Sequence, residues 1–215
     1  MFIEGKPGPV ISSDQTLVTV RLSKDAGIVT QDGHARYQEA VYRGNVWSAC
    51  NQASQALTAL ATAMTGFILF NPSNSGKNAV LWDVDFVFSA VPASGTTSAQ
   101  VIVLAGAPGV NLSNPTGTTS LAPLNNLLNT NVHPVCNAYS TATWAGVTPV
   151  IFDTIAGVIA TGTATLNGQI LVDDPVRQEY AGSIIIPPGA YVAVSFVGGA
   201  APSGVTSMTW EEINV

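Results

Sequence analysis

The segment from residue 66 to residue 91 constrains the fold more than any other part of the sequence. It begins with the apolar run GFILF, continues through the turn-forming residues NPSNSGKN, and then alternates apolar and polar side chains. A period of two with β-branched and aromatic residues is typical of a half-buried strand. We therefore expect two strands, residues 66–70 and 79–91, paired antiparallel across a short loop. The predicted core face of the second strand carries Val80, Trp82, Val84, Phe86 and Phe88, and its opposite face carries Asp83, Asp85 and Ser89.

Similar short apolar runs, separated by Gly, Pro, Asn and Thr, recur along the chain. They predict further strands at residues 16–22, 35–43, 99–105, 149–155, 163–172, 182–186, 191–196 and 207–211. Asp32-Gly33 is a plausible turn before the second of these strands. Residues 52–65 fit a short helix and an Ala/Thr strand equally well. Pro187-Pro188-Gly189 predicts a type II turn, because it has Pro at the second position and Gly at the third.

This number of strands, with no helix that the pattern requires, predicts an all-β fold. We expect an antiparallel β-sandwich, jelly-roll-like, with an extended N-terminal arm. Val192, Val194 and Phe196 are predicted to point inward, and Met208 and Trp210 to share one face. Residues 1–44 would form the N-terminal arm and the first strands, and residues 45–215 the jelly-roll β-sandwich domain. Residues 1–12 read as an arm across a neighbouring subunit or as a frayed terminus.

Charge is scarce and unevenly placed. Only 9% of the residues are charged, against about a quarter in an average soluble domain. No Asp, Glu, Lys or Arg occurs between Asp85 and Asp153. Within that stretch, residues 106–148 predict a long irregular tract with one helical turn at Leu121, Leu124, Leu127 and Leu128. We expect a neighbouring subunit to cover much of this tract, because such a surface suits a protein that packs against other copies.

Composition argues against several classes of partner. The net charge is −6 with seven basic residues, so a basic stripe for nucleic acid is missing. No run approaches the roughly 20 apolar residues of a membrane helix, and residues 1–7 do not resemble a signal peptide. Cys50 and Cys136 are expected to be two buried thiols, with a single disulfide as the alternative.

The acidic residues offer two candidate sites. Asp83 and Asp85 lie two apart on one predicted strand, so they share a face and suit a calcium site or a glycosidase pair. A polar outer face explains them more simply. Asp173, Asp174, Arg177 and Glu179 form a second cluster, for which we expect an exposed turn with a local ion pair. Glu212 is expected at a strand end, where it could pair with a basic residue of a neighbour.

The remaining reactive residues form no recognisable motif. Zinc binding would need His34, His133, Cys50 and Cys136 to converge from distant positions. Gly76-Lys77-Asn78 lacks the first Gly and the final Ser or Thr of a phosphate-binding loop. The serine elbow G-x-S-x-G is absent. We therefore assign no catalytic, cofactor-binding or metal-binding residue and expect no enzyme activity and no cofactor.

Three stretches carry a resemblance to a known group of proteins. These are GFILFNPSNSGKNAVLWDVDFVFSA, SIIIPPGAYVAVSF and SMTWEEI. They resemble tailed-bacteriophage virion structural proteins, whose jelly-roll modules occur in capsid decoration (cement) proteins and in fibre heads. The resemblance covers most of residues 45–215 and brings no catalytic residues with it.

The resemblance implies a virion structural protein that decorates the capsid surface and stabilises contacts between major capsid subunits. It would be made in the host cytoplasm and assemble as a homotrimer, with the major capsid protein as its partner. The alternative is a receptor- or carbohydrate-binding head of a tail fibre. Trp82 and Trp210 are predicted to be buried, so Trp144 would be its candidate sugar-stacking residue. A cupin-like enzyme would need a His/Glu metal cluster, which the sequence lacks.

Overall fold

A computed structural model describes residues 37–59, 63–90, 97–106, 116–128, 132–143, 150–160, 176–199 and 201–215. The chain divides into two units, Met1–Glu39 and Ala40–Val215, and all the described strands belong to the second. The predicted strands at residues 16–22 and 163–172, and the turn at Asp32-Gly33, lie outside the described residues. The predicted domain boundary between residues 44 and 45 stays a prediction.

A single helical turn precedes the first strand. α1 covers Gln38–Tyr42, so the strand predicted at residues 35–43 is wrong. The reason is the helix-ending motif that follows. Gly44 has φ +71° and donates its N–H to the Val41 carbonyl at 2.9 Å, and Asn45 donates to the Ala40 carbonyl at 3.3 Å. This pair of bonds is a Schellman motif, in which glycine adopts the left-handed conformation and satisfies the last carbonyls.

The rest of the described chain forms two antiparallel sheets. Sheet 1 contains β1 (Val46–Cys50), β2 (Gln55–Ala56), β4 (Lys77–Ala90), β7 (Leu124–Asn125), β10 (Val176–Ile186) and β12 (Ser203–Asn214). Sheet 2 contains β3 (Ala63–Phe70), β5 (Thr97–Gly106), β6 (Thr116–Ser120), β8 (Asn137–Thr143), β9 (Val150–Ala160) and β11 (Tyr191–Gly198). The predicted all-β sandwich is therefore confirmed.

The strand order is that of a jelly roll. Sheet 1 runs β10-β4-β12-β1-β7, with β2 beside β12, and sheet 2 runs β6-β8-β3-β11-β5-β9. The last strand, β12, lies between β1 and β4, and β11 lies between β3 and β5. Strands β6 and β8 extend sheet 2 beyond β3. Such closure of early strands onto late ones is the double Greek-key pattern of jelly rolls.

None of the described strands pairs with the strand that directly follows it in sequence. The predicted pairing of residues 66–70 with residues 79–91 is wrong, because β3 belongs to sheet 2 and β4 to sheet 1. The loop between them crosses from one sheet to the other. The loop at Pro187–Ala190 also crosses, in the reverse direction, and it is the predicted type II turn: Gly189 has φ +87° and Ala190 N–H donates to the Pro187 carbonyl at 3.0 Å.

One buried side chain joins these two crossing loops. The Asn71 amide nitrogen donates to the Lys77 carbonyl at 2.7 Å and to the Ile186 carbonyl at 2.8 Å. The Asn71 backbone donates to the Ala190 carbonyl and accepts from the Gly189 N–H. Asn71 is fully buried and its side-chain hydrogen bond to the Ile186 carbonyl is buried as well, so the bonds of this residue form where polar groups need partners within the protein.

The interior of the sandwich is lined by alternate residues of both sheets. Val192, Val194 and Phe196 point inward, as predicted, and face Met208 and Trp210 of sheet 1. Sheet 2 also contributes Phe67, Leu69, Val101 and Val103, and sheet 1 contributes Trp47, Val84, Phe86 and Phe88.

The predicted core face of β4 is only partly right. Asp83 pairs with Thr209, but Leu81 pairs with Trp210, so Trp82 is an extra residue in the ladder between β4 and β12. A bulge of this kind reverses the alternation beyond it. Ala79 and Leu81 therefore belong to the interior cluster, whereas Val80 and Trp82 do not. Trp82 is still buried, with 7% of its surface exposed.

The central strands of sheet 2 are buried on both faces. Ile68, Phe70, Ile102, Leu104 and Tyr191 form a second apolar cluster, on the face that points away from the sandwich interior. All five side chains are at most 2% exposed. Burial on both faces explains the continuous apolar runs of these strands, since a strand with one solvated face would alternate.

Residues 106–148 contain more regular structure than the sequence suggests. Strands β6, β7 and β8 lie within this tract, and its described residues include no helix. Of the four leucines expected on a helical turn, Leu121 packs into the interior, but Leu124, Leu127 and Leu128 are exposed. The ambiguity at residues 52–65 is settled toward extended structure in the described part, which contains β2 and the start of β3. The structure reveals no helix with the length and apolar character to cross a bilayer among the residues it describes.

Replacement of Asn71 by alanine tests the role of this side chain. We expect Asn71→Ala to lower the free energy of unfolding by about 2–4 kcal/mol, because the Ile186 carbonyl loses the donor of a buried hydrogen bond and the Lys77 carbonyl loses one of its two side-chain donors. Asn74→Ala is the control, since Asn74 is exposed in the same loop. Urea denaturation followed by tryptophan fluorescence measures both. Equal stability of the two variants would contradict the structural role of Asn71.

Candidate functional site

The outer face of sheet 1 carries a row of polar side chains across four strands. Cys50 of β1 lies opposite Ser207 of β12, Ser207 opposite Asp85 of β4, and Asp85 opposite Arg177 of β10. A parallel row contains Ser48, Thr209, Asp83 and Glu179. Asp83 and Asp85 of the first cluster are therefore neighbours of Arg177 and Glu179, the described members of the second.

Arg177 is the centre of this surface. Its Nη2 donates to Asp83 Oδ2 at 2.7 Å, and its Nε lies 3.8 Å from Asp85 Oδ1. Arg177 and Glu179 lie on strand β10, so the exposed turn predicted for them is wrong. The strand extends further than expected because its polar residues alternate with half-buried ones that pack against β4. Asp173 and Asp174 lie outside the described residues.

Burial perturbs the pKa of one of these carboxyl groups, Asp85. Desolvation raises the pKa of Asp85 above its usual range, and the negative charge of Asp83 raises it further. Arg177 and a hydrogen bond from Ser207 Oγ at 3.3 Å counteract this rise only in part. The charge of Asp83 is in turn the main cause that raises the pKa of Arg177. Asp83 and Asp85 thus both interact with the positively charged guanidinium of Arg177.

A cation site is not supported by these residues. In the described ranges, no group of three or more His, Cys, Asp and Glu side chains has the spacing to hold a metal ion. The arrangement of Asp83, Asp85 and Arg177 instead fits a charge network that holds the edge strand β10 on β4. Assignment of no metal, cofactor or catalytic residue stays a prediction.

Glu212 has a different environment from the one that the sequence suggests. It points into the sandwich, is 2% exposed, and accepts hydrogen bonds on Oε1 from the backbone N–H groups of Val135 and Cys136 at 3.0 and 2.9 Å. Trp210 Nε1 lies 3.4 Å from the same oxygen, and Lys77 Nζ lies 3.9 Å from Oε2. The expectation that Glu212 pairs with a neighbouring subunit is corrected, because its partners belong to this chain. The sequence carried no signal for the contact with Val135 and Cys136, which lie 77 and 76 residues away.

The cysteines are free thiols, as expected. Cys136 is buried and Cys50 is half-buried. Burial raises the pKa of both thiols, and the nearby charges of Glu212 and Asp85 raise those of Cys136 and Cys50 respectively. Neither environment favours a reactive thiolate. His133 is exposed, and His34 lies outside the described residues.

A run of three exposed apolar residues lies on β9, an edge strand of sheet 2. Val150, Ile151 and Phe152 are consecutive, and their exposed fractions are 70%, 46% and 53%. We call these three residues the apolar edge. The register explains it: Val103 pairs with Asp153, whereas Leu104 pairs with Ile151, so Phe152 is an extra residue in the ladder.

Two contacts hold the apolar edge in position. The Phe152 ring meets the Tyr180 ring edge-on, with centroids 6.3 Å apart, and the Tyr180 hydroxyl donates to Asp153 Oδ2 at 2.9 Å. Burial and this hydrogen bond to Asp153 raise the pKa of Tyr180, so the hydroxyl stays a donor throughout the neutral range. Since Tyr180 lies on β10, these contacts also join the open edges of the two sheets.

The described tryptophans offer no surface for sugar stacking. Trp47, Trp82 and Trp210 are at most 7% exposed, and the burial predicted for Trp82 and Trp210 is confirmed. Trp144, the candidate of the carbohydrate-binding alternative, lies outside the described residues.

Comparisons with protein-family models, with curated proteins and with solved structures find no match for this chain.

Neutralisation of Asp83 and neutralisation of Asp85 should have different effects on the free energy of unfolding. We expect Asp83→Asn to lower the free energy of unfolding by about 1–2 kcal/mol, because it weakens a partly buried bond to Arg177. We expect Asp85→Asn to leave stability unchanged or to raise it by no more than about 1 kcal/mol, since water screens this half-buried group.

The pH dependence follows from the direction of the Asp85 shift. A carboxyl whose pKa is raised on folding contributes its stability below the unfolded pKa, near about 4, and loses it as pH rises through the folded value. The difference between Asp85→Asn and the unmodified chain should therefore be absent below about pH 4 and appear above it. Urea denaturation between pH 3.5 and 7 measures this, and a loss of stability in Asp85→Asn at pH 7 would contradict it.

Glu212 is tested with a pair of substitutions. We expect Glu212→Ala to lower the free energy of unfolding by about 2–4 kcal/mol, because two buried N–H groups lose their acceptor. Glu212→Gln should cost distinctly less, since its carbonyl oxygen can accept both bonds that converge on Oε1. Chemical denaturation compares the two. If both variants lost the same stability, the charge rather than the hydrogen bonds would hold residues 135–136.

Proposed function

We propose that this chain is a structural protein of a tailed-bacteriophage virion, a decoration protein that stabilises contacts between major capsid subunits. In this proposal the chain associates into a homotrimer through the apolar edge and binds the capsid exterior in that form. The exposed apolar edge of Val150, Ile151 and Phe152 is the observation that carries the proposal.

Three adjacent large apolar side chains on a strand edge are unusual for a surface that stays in water. Apolar patches with polar surroundings mark interaction sites, and an uncovered edge strand offers an additional pairing surface. Asp153, directly after the patch, supplies a polar rim of the kind that surrounds interface cores.

The bulges of β9 favour association through side chains over extension of the sheet. The ladder between β5 and β9 shifts register at Ile155 and again at Phe152. A bulged edge twists away from a straight partner strand and disfavours a continuous ladder of backbone bonds. A symmetric contact between copies would instead pack the side chains of the apolar edge against one another.

The scarcity of charge supports the same proposal. No charged residue occurs between Asp85 and Asp153, so the apolar edge stands at the end of the longest uncharged stretch. Burial of uncharged polar residues costs less free energy than burial of unpaired ions. Subunits with such surfaces can be covered extensively without placing ions in an apolar environment.

Substitution of the apolar edge tests the oligomer. We expect the unmodified chain to be a trimer in size-exclusion chromatography with light scattering, and Ile151→Lys to be a monomer with unchanged circular dichroism. Val197→Lys is the matched control, because Val197 is an exposed apolar residue on another strand of sheet 2. The charge of a buried lysine opposes association, whereas the control should remain trimeric. A chain that is monomeric at every concentration would overturn the trimer.

The capsid role needs a separate measurement. Undecorated capsids mixed with the unmodified chain should disassemble at a higher temperature than capsids alone, and Ile151→Lys should give a smaller shift. A trimer that leaves the capsid transition unchanged would refute decoration while retaining self-association.

A further inference from the structure

Four buried polar atoms without a partner are concentrated at one end of the sandwich. Among the described residues, seven buried side-chain nitrogen and oxygen atoms have no hydrogen-bond partner within the chain. Four of the seven belong to Asn51, Gln55 and Thr206: both amide atoms of Asn51, Oε1 of Gln55 and Oγ1 of Thr206. The other three belong to Asn71, Asp85 and Ser140, which are scattered.

The register of the strands brings these three side chains together. The Asn51 N–H donates to the Thr206 carbonyl at 3.0 Å, which continues the pairing of β1 with β12. Gln55 of β2 lies opposite Gly204, two residues before Thr206 on the same side of β12. Residues directly opposite each other in an antiparallel pair have Cβ atoms about 5 Å apart on one face.

That face is the interior of the sandwich. Gly204, Thr206, Met208 and Trp210 are the buried members of the alternating pattern of β12. On β4, the other neighbour of β12, Phe86 lies opposite Thr206 and Phe88 lies opposite Gly204. The Phe86 ring occupies the space next to Gly204, because a side chain at position 204 would overlap it. An aromatic ring therefore lies beside the polar group formed by Asn51, Gln55 and Thr206.

An amide and a hydroxyl in such surroundings are costly without partners. Asn51 is 3% exposed and Thr206 is fully buried, so bulk water does not reach them. Each buried polar group without a hydrogen bond costs about 1–3 kcal/mol, and native proteins rarely leave several together. A ligand that supplies both donors and acceptors would remove the cost.

We propose that Asn51, Gln55 and Thr206 form an internal hydration site, a buried binding site for ordered water. Water there accepts hydrogen bonds from the Asn51 amide N–H and the Thr206 hydroxyl, and it donates to the carbonyl oxygens of Asn51 and Gln55. Water suits the site because it has two donors and two acceptors and needs only two to four polar partners. It also fits the enclosed position better than a larger ligand, since Asn51 is only 3% exposed and Thr206 is fully buried.

The hydration site adds a side-chain link between segments that are already paired through their backbones. Asn51 follows β1, Gln55 belongs to β2, and Thr206 lies in the middle of β12. The backbone nearby is tied by Leu57 N–H to the Pro202 carbonyl at 2.9 Å. Bound water thus fixes the start of the chain's crossing from sheet 1 to sheet 2. This inference is independent of the virion role.

The effect of Thr206→Val on stability distinguishes a hydrated Thr206 hydroxyl from an unpaired one. We expect Thr206→Val to lower the folding equilibrium constant about fivefold to tenfold, because the water loses a donor. If the hydroxyl were unpaired, its removal would leave the constant equal or higher. Ser140→Ala is the control: Ser140 is also buried with an unpaired hydroxyl but does not belong to the proposed site, so its constant should not fall. Equal losses in both variants would overturn the proposal.

Water itself can be counted independently of stability. Magnetic relaxation dispersion of water oxygen-17 detects long-lived internal water, and its amplitude should be larger in the unmodified chain than in Thr206→Val. Gln55→Met serves as a second variant, because Gln55 is only partly buried and its replacement should preserve the fold. Equal amplitudes in all three proteins, or a crystal structure in which the Asn51 and Gln55 amides bond directly to each other, would contradict the hydration site.

Discussion

The jelly roll depends on the buried amide of Asn71. Two loops carry the chain between the sheets at this end, one from β3 to β4 and one from β10 to β11. The Asn71 side chain donates to a carbonyl beside each loop, and its backbone bonds to the second. Because both loops converge on one residue, the positions of β4 and β11 in opposite sheets are coupled. Such a buried network is strong only when its members are present together.

The last strand, β12, fills the centre of sheet 1. β12 lies between β1 and β4, so the first described strand of sheet 1 acquires its central neighbour only when the end of the chain is in place. Glu212 then fastens the segment before β8 through the Val135 and Cys136 N–H groups. All strand pairings of the described residues therefore join strands that are not consecutive in the sequence. Topologies of this kind form slowly, because loop closure precedes the contacts that stabilise it.

Polar and apolar surfaces are separated in this fold. The outer face of sheet 1 is a network of charges and hydroxyls centred on Arg177. The face of sheet 2 that points away from the sandwich interior is instead apolar and buried. The apolar edge on β9 lies where the two sheets meet at Tyr180. The charged residues of this network hold strands together, whereas the apolar edge is exposed.

Much of the local structure was predictable from the sequence. The inward faces of β11 and β12 and the turn at Pro187–Ala190 follow from short-range patterns, since alternation and turn preferences act over a few residues. The short helix α1 was missed because its only clear signal is the glycine that ends it. The apolar edge was not foreseen either, because a bulge at Phe152 exposes residues that strict alternation would divide between two faces.

The sequence by itself determined that this chain forms strands, and that these strands bury aromatic and β-branched faces in a sandwich. Only the tertiary structure decided which strands pair. It separated β3 from β4, reversed the alternation of β4 at Trp82, brought Arg177 to Asp83, and buried Glu212. The physical reason is that a strand's period of two specifies its faces but not its neighbours. The neighbours are selected by hydrogen bonds and packing between residues that are distant in the chain, which no local pattern records.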